Sequence, residues 1–137
     1  MKFLQKSLEV SYAFHNPVWN KQIEHRCQHF SIIFNRNKIL AIGRNKLKTT
    51  PLNLRNAPPK TSVIILSNKN TCAEFDAFRI LRNRSNITGR LILVNVRIDR
   101  NGHIRNSHPC RFCQNLIRFL NFREVWYSTE NGFKKYE

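Results

Sequence analysis

The sequence predicts an α/β fold, a three-layer α/β/α sandwich built around a central mixed sheet of about five strands. Two observations lead to this prediction. Segments with apolar residues at helical spacing alternate along the chain with short runs rich in β-forming residues. In addition, a chain of 137 residues, of which 41% are hydrophobic, has the size and composition of one packed domain. We therefore assign residues 1–137 to a single domain.

The first 28 residues are predicted to be an N-terminal helical segment. A first helix is predicted from three residues at helical spacing, Leu4, Leu8 and Tyr12. It ends before a pair of residues that disfavours helix. That pair is Asn16-Pro17, in which Asn16 can cap a second, short helix with Pro17 in its first turn. This second helix would place three residues on one inward face: Trp19, Ile23 and Cys27.

The middle of the chain predicts a hairpin, a loop and a helix. Two β-rich runs, His29–Phe34 and Lys38–Gly43, are separated by a short polar turn, which is typical of a hairpin. The polar, proline-bearing stretch Arg44–Lys60 predicts a surface loop. A helix is expected to start at Thr71 and to end before Gly89.

The last third of the chain predicts alternating strands and helices. The run Leu91–Ile98 is apolar enough for a central strand, and Asn101-Gly102 predicts a turn after it. A helix begins at Pro109, and a short strand follows at Val125–Tyr127. Phe133–Tyr136 predicts a final edge strand, which must fold back antiparallel because too few residues remain for another helical crossover.

The charge of the chain suggests a polyanionic partner. The formal net charge is +16, from 24 Lys and Arg against 8 Asp and Glu, which exceeds what solubility requires. A basic composition without a binding role is the alternative. A membrane surface is disfavoured because no long helix sets basic residues against a wide apolar face. No signal peptide and no membrane-spanning run is recognised, so a cytoplasmic location is expected.

Three of the four cysteines stand where a metal site would need them. Without an export signal, cysteines are better interpreted as thiols or metal ligands than as disulfides. Cys110 and Cys113 lie one helical turn apart and Cys72 starts another helix, so three sulfurs can share one Zn²⁺ ion. Three ligands leave a position for water, which Glu74 can reach. The alternatives are a structural zinc site or three unrelated buried cysteines. Cys27 is interpreted as a small core residue, and His29 as a surface or hydrogen-bonded residue.

The two motifs Cys72-Ala73-Glu74 and Pro109-Cys110-Arg111-Phe112-Cys113 resemble the signature of the cytidine deaminase superfamily. The resemblance covers most of the chain and implies a cytidine deaminase-like fold with residues 29–137 as the catalytic core. It also implies hydrolytic deamination, in which zinc activates water for attack on C4 of cytosine and Glu74 carries the proton. By the same resemblance, four residues are candidates for substrate contacts: Asn45, Ala73, Ser107 and His108.

The substrate is predicted to be cytosine in single-stranded DNA or RNA. Basic and aromatic residues that suit this interaction are Trp19, Arg44, Lys46, Lys48 and Arg111. Free cytidine or deoxycytidine, or their nucleotides, are the alternative substrates, since an antiparallel last strand resembles the branch that contains free cytidine deaminases. That branch carries an Asn-x-Glu-Asn segment, whereas Asn45-Lys46-Leu47-Lys48 lacks the glutamate. A non-catalytic, basic zinc-binding module for nucleic acid is the third hypothesis.

Overall fold

The computed structural model describes residues 1–15, 27–45, 72–82 and 91–137. Three helices and six strands lie in these ranges, and we number them in chain order. Their bounds are α1 Lys2–Phe14, β1 Cys27–Asn35, β2 Lys38–Arg44, α2 Ala73–Arg82, β3 Leu91–Asp99, β4 Ile104–Arg105, α3 Arg111–Leu120, β5 Glu124–Thr129 and β6 Gly132–Lys135.

The strands form one mixed sheet in the order β2-β1-β3-β5-β6, with β4 beside the far end of β3. The pair β3 and β5 is parallel, as expected for two strands joined through helix α3, and the other pairs are antiparallel. Strand β5 pairs with the first half of β3, and β4 pairs with its last residues. The carboxyl end of β3 therefore lies next to the start of β1 and beside β4.

One face of the sheet is apolar and is covered by α1. Even-numbered residues of β1 and β3 point to this face and are buried: Phe30, Ile32, Phe34, Ile92, Val94, Val96 and Ile98. Helix α1 packs on them through Phe3, Leu4 and Leu8, which lie on one side of the helix. The ring centroid of Phe3 lies 6.0 Å from that of Phe34 and 6.4 Å from that of Trp126.

The opposite face is covered by α2 and α3. Its core contains residues from both helices and four strands: Ile33, Ala41, Ala77, Leu81, Leu93, Ile117 and Val125. Helix α2 lies directly on β2 at Gly43, where a Cβ atom would collide with backbone atoms of Ala73 and Ala77. Glycine at this position lets the start of α2 rest against the sheet. The three layers confirm the predicted α/β/α sandwich.

Several predicted elements are confirmed, and three details are corrected. The hairpin, the central strand, the helix after Pro109 and the antiparallel final strand are present. The sheet has six strands rather than about five, because the two-residue strand β4 is too short to produce a sequence pattern. Cys27 opens β1 instead of lying on a helix face. Residues 27 and 28 thus belong to the sheet and not to the N-terminal helical segment. The predicted second helix and most of the predicted loop lie outside the described residues.

Among the described residues, none of the helices has the length and apolar character needed to cross a lipid bilayer.

Candidate metal centre

The three cysteines are brought together by the N-termini of α2 and α3. Cys72 directly precedes α2, and its carbonyl accepts the hydrogen bond from the Asp76 N–H. Cys110 is the N-cap of α3, and its carbonyl accepts from the Gln114 N–H. Cys110 has the extended backbone angles of an N-cap residue, and Cys113 follows in the first turn. Both helices therefore present a cysteine at the end where backbone N–H groups are unpaired.

The three sulfur atoms form one compact cluster. All Sγ atoms of Cys72, Cys110 and Cys113 lie within 4.8 Å of one another, and those of Cys72 and Cys110 are 3.8 Å apart. Cys113 is buried, Cys72 is half-buried and Cys110 is exposed. The cluster is thus fixed in the core on one side and open on the other. It is close enough to hold a metal ion.

The cluster concentrates negative charge on one sulfur. Hydrogen bonds from the thiols of Cys113 and Cys72, with further help from the N–H groups of Cys113 and Phe112, lower the pKa of Cys110 to about 2. Its hydrogen bond with Cys110 raises the pKa of Cys72 to about 12, and the same partner raises the pKa of Cys113. A cation at the centre would replace these shared protons and stabilise further thiolates.

Glu74 lies beside the cluster and is buried, with 5% of its surface exposed. Burial raises the pKa of this carboxyl group to about 7, and the charge of Cys110 acts in the same direction. The side chains of Cys113 and Asn95 lie close enough to Glu74 to lower that pKa by hydrogen bonding. Glu74 is therefore a carboxyl group poised to gain and lose a proton near neutral pH, next to a possible metal site.

A polar row crosses the sheet beneath Glu74 and was missed by sequence analysis. Ser31 on β1, Asn95 on β3 and Tyr127 on β5 are direct neighbours across the sheet. The Ser31 hydroxyl donates to Oδ1 of Asn95 over 2.6 Å, whereas the buried Nδ2 of Asn95 has no partner of normal geometry among the described residues. An asparagine inside an otherwise apolar central strand was the available signal, since buried polar groups are rare without a role.

The predicted substrate-contacting residues lie around the cluster in different ways. Asn45 follows β2, and its Oδ1 accepts the backbone N–H of His29 over 2.9 Å. Ala73 is buried in the first turn of α2. Ser107 is buried, and its hydroxyl donates to the Asn95 carbonyl over 2.9 Å. The Asn45 side chain thus binds the backbone of β1, and the Ser107 side chain binds the backbone of β3.

His108 is exposed and belongs to an aromatic group beside Cys110. Its ring centroid lies 5.0 Å from that of Tyr127 and 5.4 Å from that of Tyr136, both in edge-on geometry. The ring Nδ1 of His108 also lies 3.0 Å from the carbonyl oxygen of Pro109. These contacts hold the imidazole at the mouth of the cluster, where planar rings suit a planar ligand.

His29 lies on the same face of the sheet, and the structure corrects its interpretation as a surface or hydrogen-bonded residue. Its Nε2 is buried and has no hydrogen-bond partner among the described residues. Burial lowers the pKa of His29 to about 4, and the positive charge of Arg97 adds to this effect. The negative charge of Cys110 acts in the opposite direction. The imidazole is therefore neutral near pH 7.

The predicted nucleic-acid contacts are only partly described. Arg111, the first residue of α3, is exposed beside Cys110. Arg44 is exposed at the end of β2, with its guanidinium 4.5 Å from the centre of the Phe14 ring. Its backbone N–H donates to Oδ2 of Asp76, which ties the end of β2 to helix α2. Trp19, Lys46 and Lys48 lie outside the described residues.

Comparisons with known proteins found no relative that assigns a function to the site. The chain matches no protein-family model, and no curated protein matches it. The arrangement of the cysteine cluster and Glu74 is therefore the basis on which a function is proposed.

Proposed function

We propose that the chain is a zinc-dependent hydrolytic deaminase that converts cytosine to uracil in single-stranded nucleic acid. One observation carries the proposal. Three cysteine sulfurs lie within 4.8 Å of one another beside a buried carboxyl group, Glu74, whose pKa is raised by burial to about 7. A purely structural metal site has no need for a buried carboxyl group beside its ligands.

The donor set fits zinc. Tetrahedral zinc with Zn–S bonds of 2.3 Å places its sulfur ligands about 3.8 Å apart, and the sulfurs of Cys72 and Cys110 are 3.8 Å apart. Thiolates are preferred ligands of Zn²⁺, and three of them leave one position for water or substrate. Exposure of Cys110 on one side of the cluster gives such a molecule a way in. The motif resemblance to cytidine deaminases supports the same metal.

The chain's own residues would handle the proton and the base. When bound, zinc supplies the acidity that lets a water molecule react near neutral pH. Glu74 would accept one proton from that water and deliver it to the ring nitrogen, and it would then pass the second proton, from the newly formed hydroxyl group on the ring, to the leaving amine. Asn95 would orient the carboxyl group, because its side chain lies within hydrogen-bonding reach of it. The ring of His108 would stack against the base, with the ring of Tyr127 edge-on beside it.

The charge of the chain supports a polynucleotide substrate. A net charge of +16 favours binding to a phosphate backbone. A specific observation favours the second candidate, free cytidine or its nucleotides: β6 pairs antiparallel with β5, as in the branch that contains free cytidine deaminases. The two candidates differ only in what lies beyond the base, so one activity panel separates them.

The test is an activity panel on the zinc-loaded protein. Purified protein is incubated with cytosine-containing single-stranded DNA and RNA oligonucleotides, cytidine, dCMP and adenosine, and uracil or inosine products are measured. We expect uracil in the oligonucleotides. Glu74→Gln should lower kcat by about 10²–10⁴-fold while retaining zinc, because it removes only proton transfer. Cys110→Ala should lose zinc and activity together.

Each other outcome contradicts the proposal in a defined way. Turnover of cytidine or dCMP alone would identify the free-nucleoside candidate. Full zinc content with no turnover of any substrate would leave a non-catalytic zinc-binding module. Near-normal activity of Glu74→Gln would remove the proposed proton carrier, and unchanged zinc content of Cys110→Ala would remove that cysteine from the site.

A further inference from the structure

A basic cleft opens beside the metal centre on the same face of the sheet. Its volume is about 610 Å³, and its lining includes three arginines: Arg97, Arg100 and Arg105. Arg97 is the direct cross-strand neighbour of His29 on one side and of Arg105 on the other. Side chains two apart on a strand share a face, so Arg97 lies on the face of Asn95, about 7 Å further along β3. The cleft therefore begins where the polar row beneath Glu74 ends.

The acidic residues of the cleft act on Arg105. Asp99 receives the Nε–H of Arg105 over 2.8 Å and the backbone N–H groups of Asn101 and His103 over 2.9 Å. Although burial opposes its ionisation, these hydrogen bonds hold the pKa of Asp99 below its usual value. The charge of Glu130 also acts on Arg105. Of the two carboxylates lining the cleft, Asp99 is thus bound to Arg105, and Glu130 acts on the same arginine through its charge.

Among the described residues, Arg97 and Arg100 have no carboxylate partner of the kind that Arg105 has. Within the part of the chain that the structure describes, no carboxylate oxygen lies within 4.0 Å of either guanidinium. The polar contact made by the Arg97 side chain is one long hydrogen bond of 3.4 Å to the Asn106 carbonyl. Two arginines that share a cleft and have no carboxylate in direct contact with them are suited to bind an anion, and the planar guanidinium fork matches the oxygens of phosphate.

The buried face of His29 connects this cleft to the metal centre. The imidazole is flanked by Arg97 and lies within electrostatic range of Cys110, and its buried Nε2 has no partner in the described ranges. A ligand spanning the two places would cross the end of β1 that carries His29. A nucleotide has that form, since its base and its phosphate are separated by one sugar.

We propose that the cleft at Arg97 and Arg100 is a phosphate subsite, which holds a backbone phosphate of a single-stranded polynucleotide whose target cytosine lies at the cysteine cluster. The identity of that base rests on the proposed function, whereas phosphate binding in the cleft does not. A phosphate next to the target base is present in a polynucleotide and in a free nucleotide but absent from cytidine, and the neutral linkages and dCMP separate the first two.

The test measures binding and not turnover. The probe is a fluorescein-labelled ten-nucleotide strand with one cytosine, in DNA and RNA versions, together with DNA strands in which single linkages are replaced by neutral methylphosphonate. Binding is followed by anisotropy with zinc-loaded Glu74→Gln protein, which prevents turnover. We expect one neutral linkage beside the cytosine to weaken binding by about tenfold, and the slope of log K against log salt to fall by about 0.7 for that phosphate.

The variant pair separates the subsite from general charge. Arg97→Gln with Arg100→Gln should weaken binding of the unmodified strand at least about tenfold and abolish the effect of the neutral linkage. The matched control, Lys2→Gln with Lys6→Gln, removes the same charge from exposed positions of α1 on the other side of the sheet. It should bind nearly as the parent does and remain sensitive to the linkage. Zinc content and the thermal unfolding midpoint check that each variant is folded.

Three results would overturn the subsite. Equal losses in both variants would mean diffuse attraction, and insensitivity to every linkage would mean that no single phosphate is held. A larger effect of the arginine variant on dCMP than on the strand would assign the cleft to a terminal phosphate. Failure of the proposed function is a separate result. In that case the activity panel detects no deamination, while linkage-sensitive binding persists.

Discussion

The two faces of the sheet are built from the same strands but differ in composition. Toward α1, the alternate residues of β1 and β3 from Phe30 to Ile98 are apolar, and Gln28, opposite Ile98, is the buried polar residue of these two strands on this face. Toward α2 and α3, Ile33 and Leu93 are apolar, but the next residues toward the metal centre are Ser31 and Asn95, followed by His29 and Arg97. Among the described residues, the buried polar side chains that β1 and β3 place on this face lie at the end of the sheet that carries the cysteines.

The α1 face of the sheet stabilises the molecule, whereas the polar groups of the opposite face provide its reactive groups. Burial of apolar surface on the α1 face provides the driving force for folding, whereas buried polar groups such as Asn95 and Glu74 oppose it. Retention of these groups beside the cysteine cluster is expected where a site requires them. The two faces should therefore respond differently to substitution.

The largest effect on stability is expected on the apolar face. Phe34→Ala removes a completely buried ring that contacts Phe3, and it should lower the free energy of unfolding by about 3–5 kcal/mol. Phe34→Leu, which preserves more of the volume, should lose clearly less. Denaturant unfolding measures both, and zinc content of the folded fraction should not change. A loss below about 1 kcal/mol for Phe34→Ala would contradict the assignment of this face as the main core.

An intermediate effect is expected at His29, and it should depend on pH. Its pKa in the folded protein is about 4 against an ordinary value of 6.5, so the unfolded chain binds the proton more readily. Stability should therefore decrease as pH falls from about 6.5 to about 4, by about 3 kcal/mol, and this contribution should not change further below that range. Arg97 and Cys110 are the charged groups that act on this imidazole.

Replacing His29 by Gln isolates that contribution. The difference in unfolding free energy between the parent and His29→Gln, both zinc-loaded, should shift in favour of the variant as the pH is lowered through the same range. His103, which is 70% exposed, provides the matched control as His103→Gln. A difference that stays constant with pH would show that His29 is not buried in its neutral form.

The smallest effect on stability is expected for the polar row. Ser31→Ala combined with Asn95→Leu removes both partners of the 2.6 Å hydrogen bond and replaces them with apolar groups. The unfolding free energy should change by less than about 1 kcal/mol, because no buried partner of that bond is left unsatisfied. Under the proposed function, kcat should nevertheless fall at least about tenfold, since the amide beside Glu74 is lost. A stable variant with full activity would restrict the row to a structural role.

Sequence analysis predicted the elements better than their contacts. The cysteines and Glu74 were found because motif spacing and helix starts are local properties of the chain. Asn95, Arg97 and Tyr127 were missed, although Asn95 and Arg97 alternate with valine and isoleucine in β3. That alternation shows that both point to one face, but it does not show which residues lie on the neighbouring strands. Strand β4 was missed because two residues produce no period.

By itself, the sequence determined the kinds of element, the hydrophobic faces of the strands and the position of cysteines at two helix starts. Only the tertiary structure decided that Cys72 meets Cys110, 38 residues away, and that Ser31 meets Asn95, 64 residues away. The physical reason is that periodicity arises from neighbouring residues. Strand order and register, in contrast, are determined by long-range packing of the whole sheet against its helices.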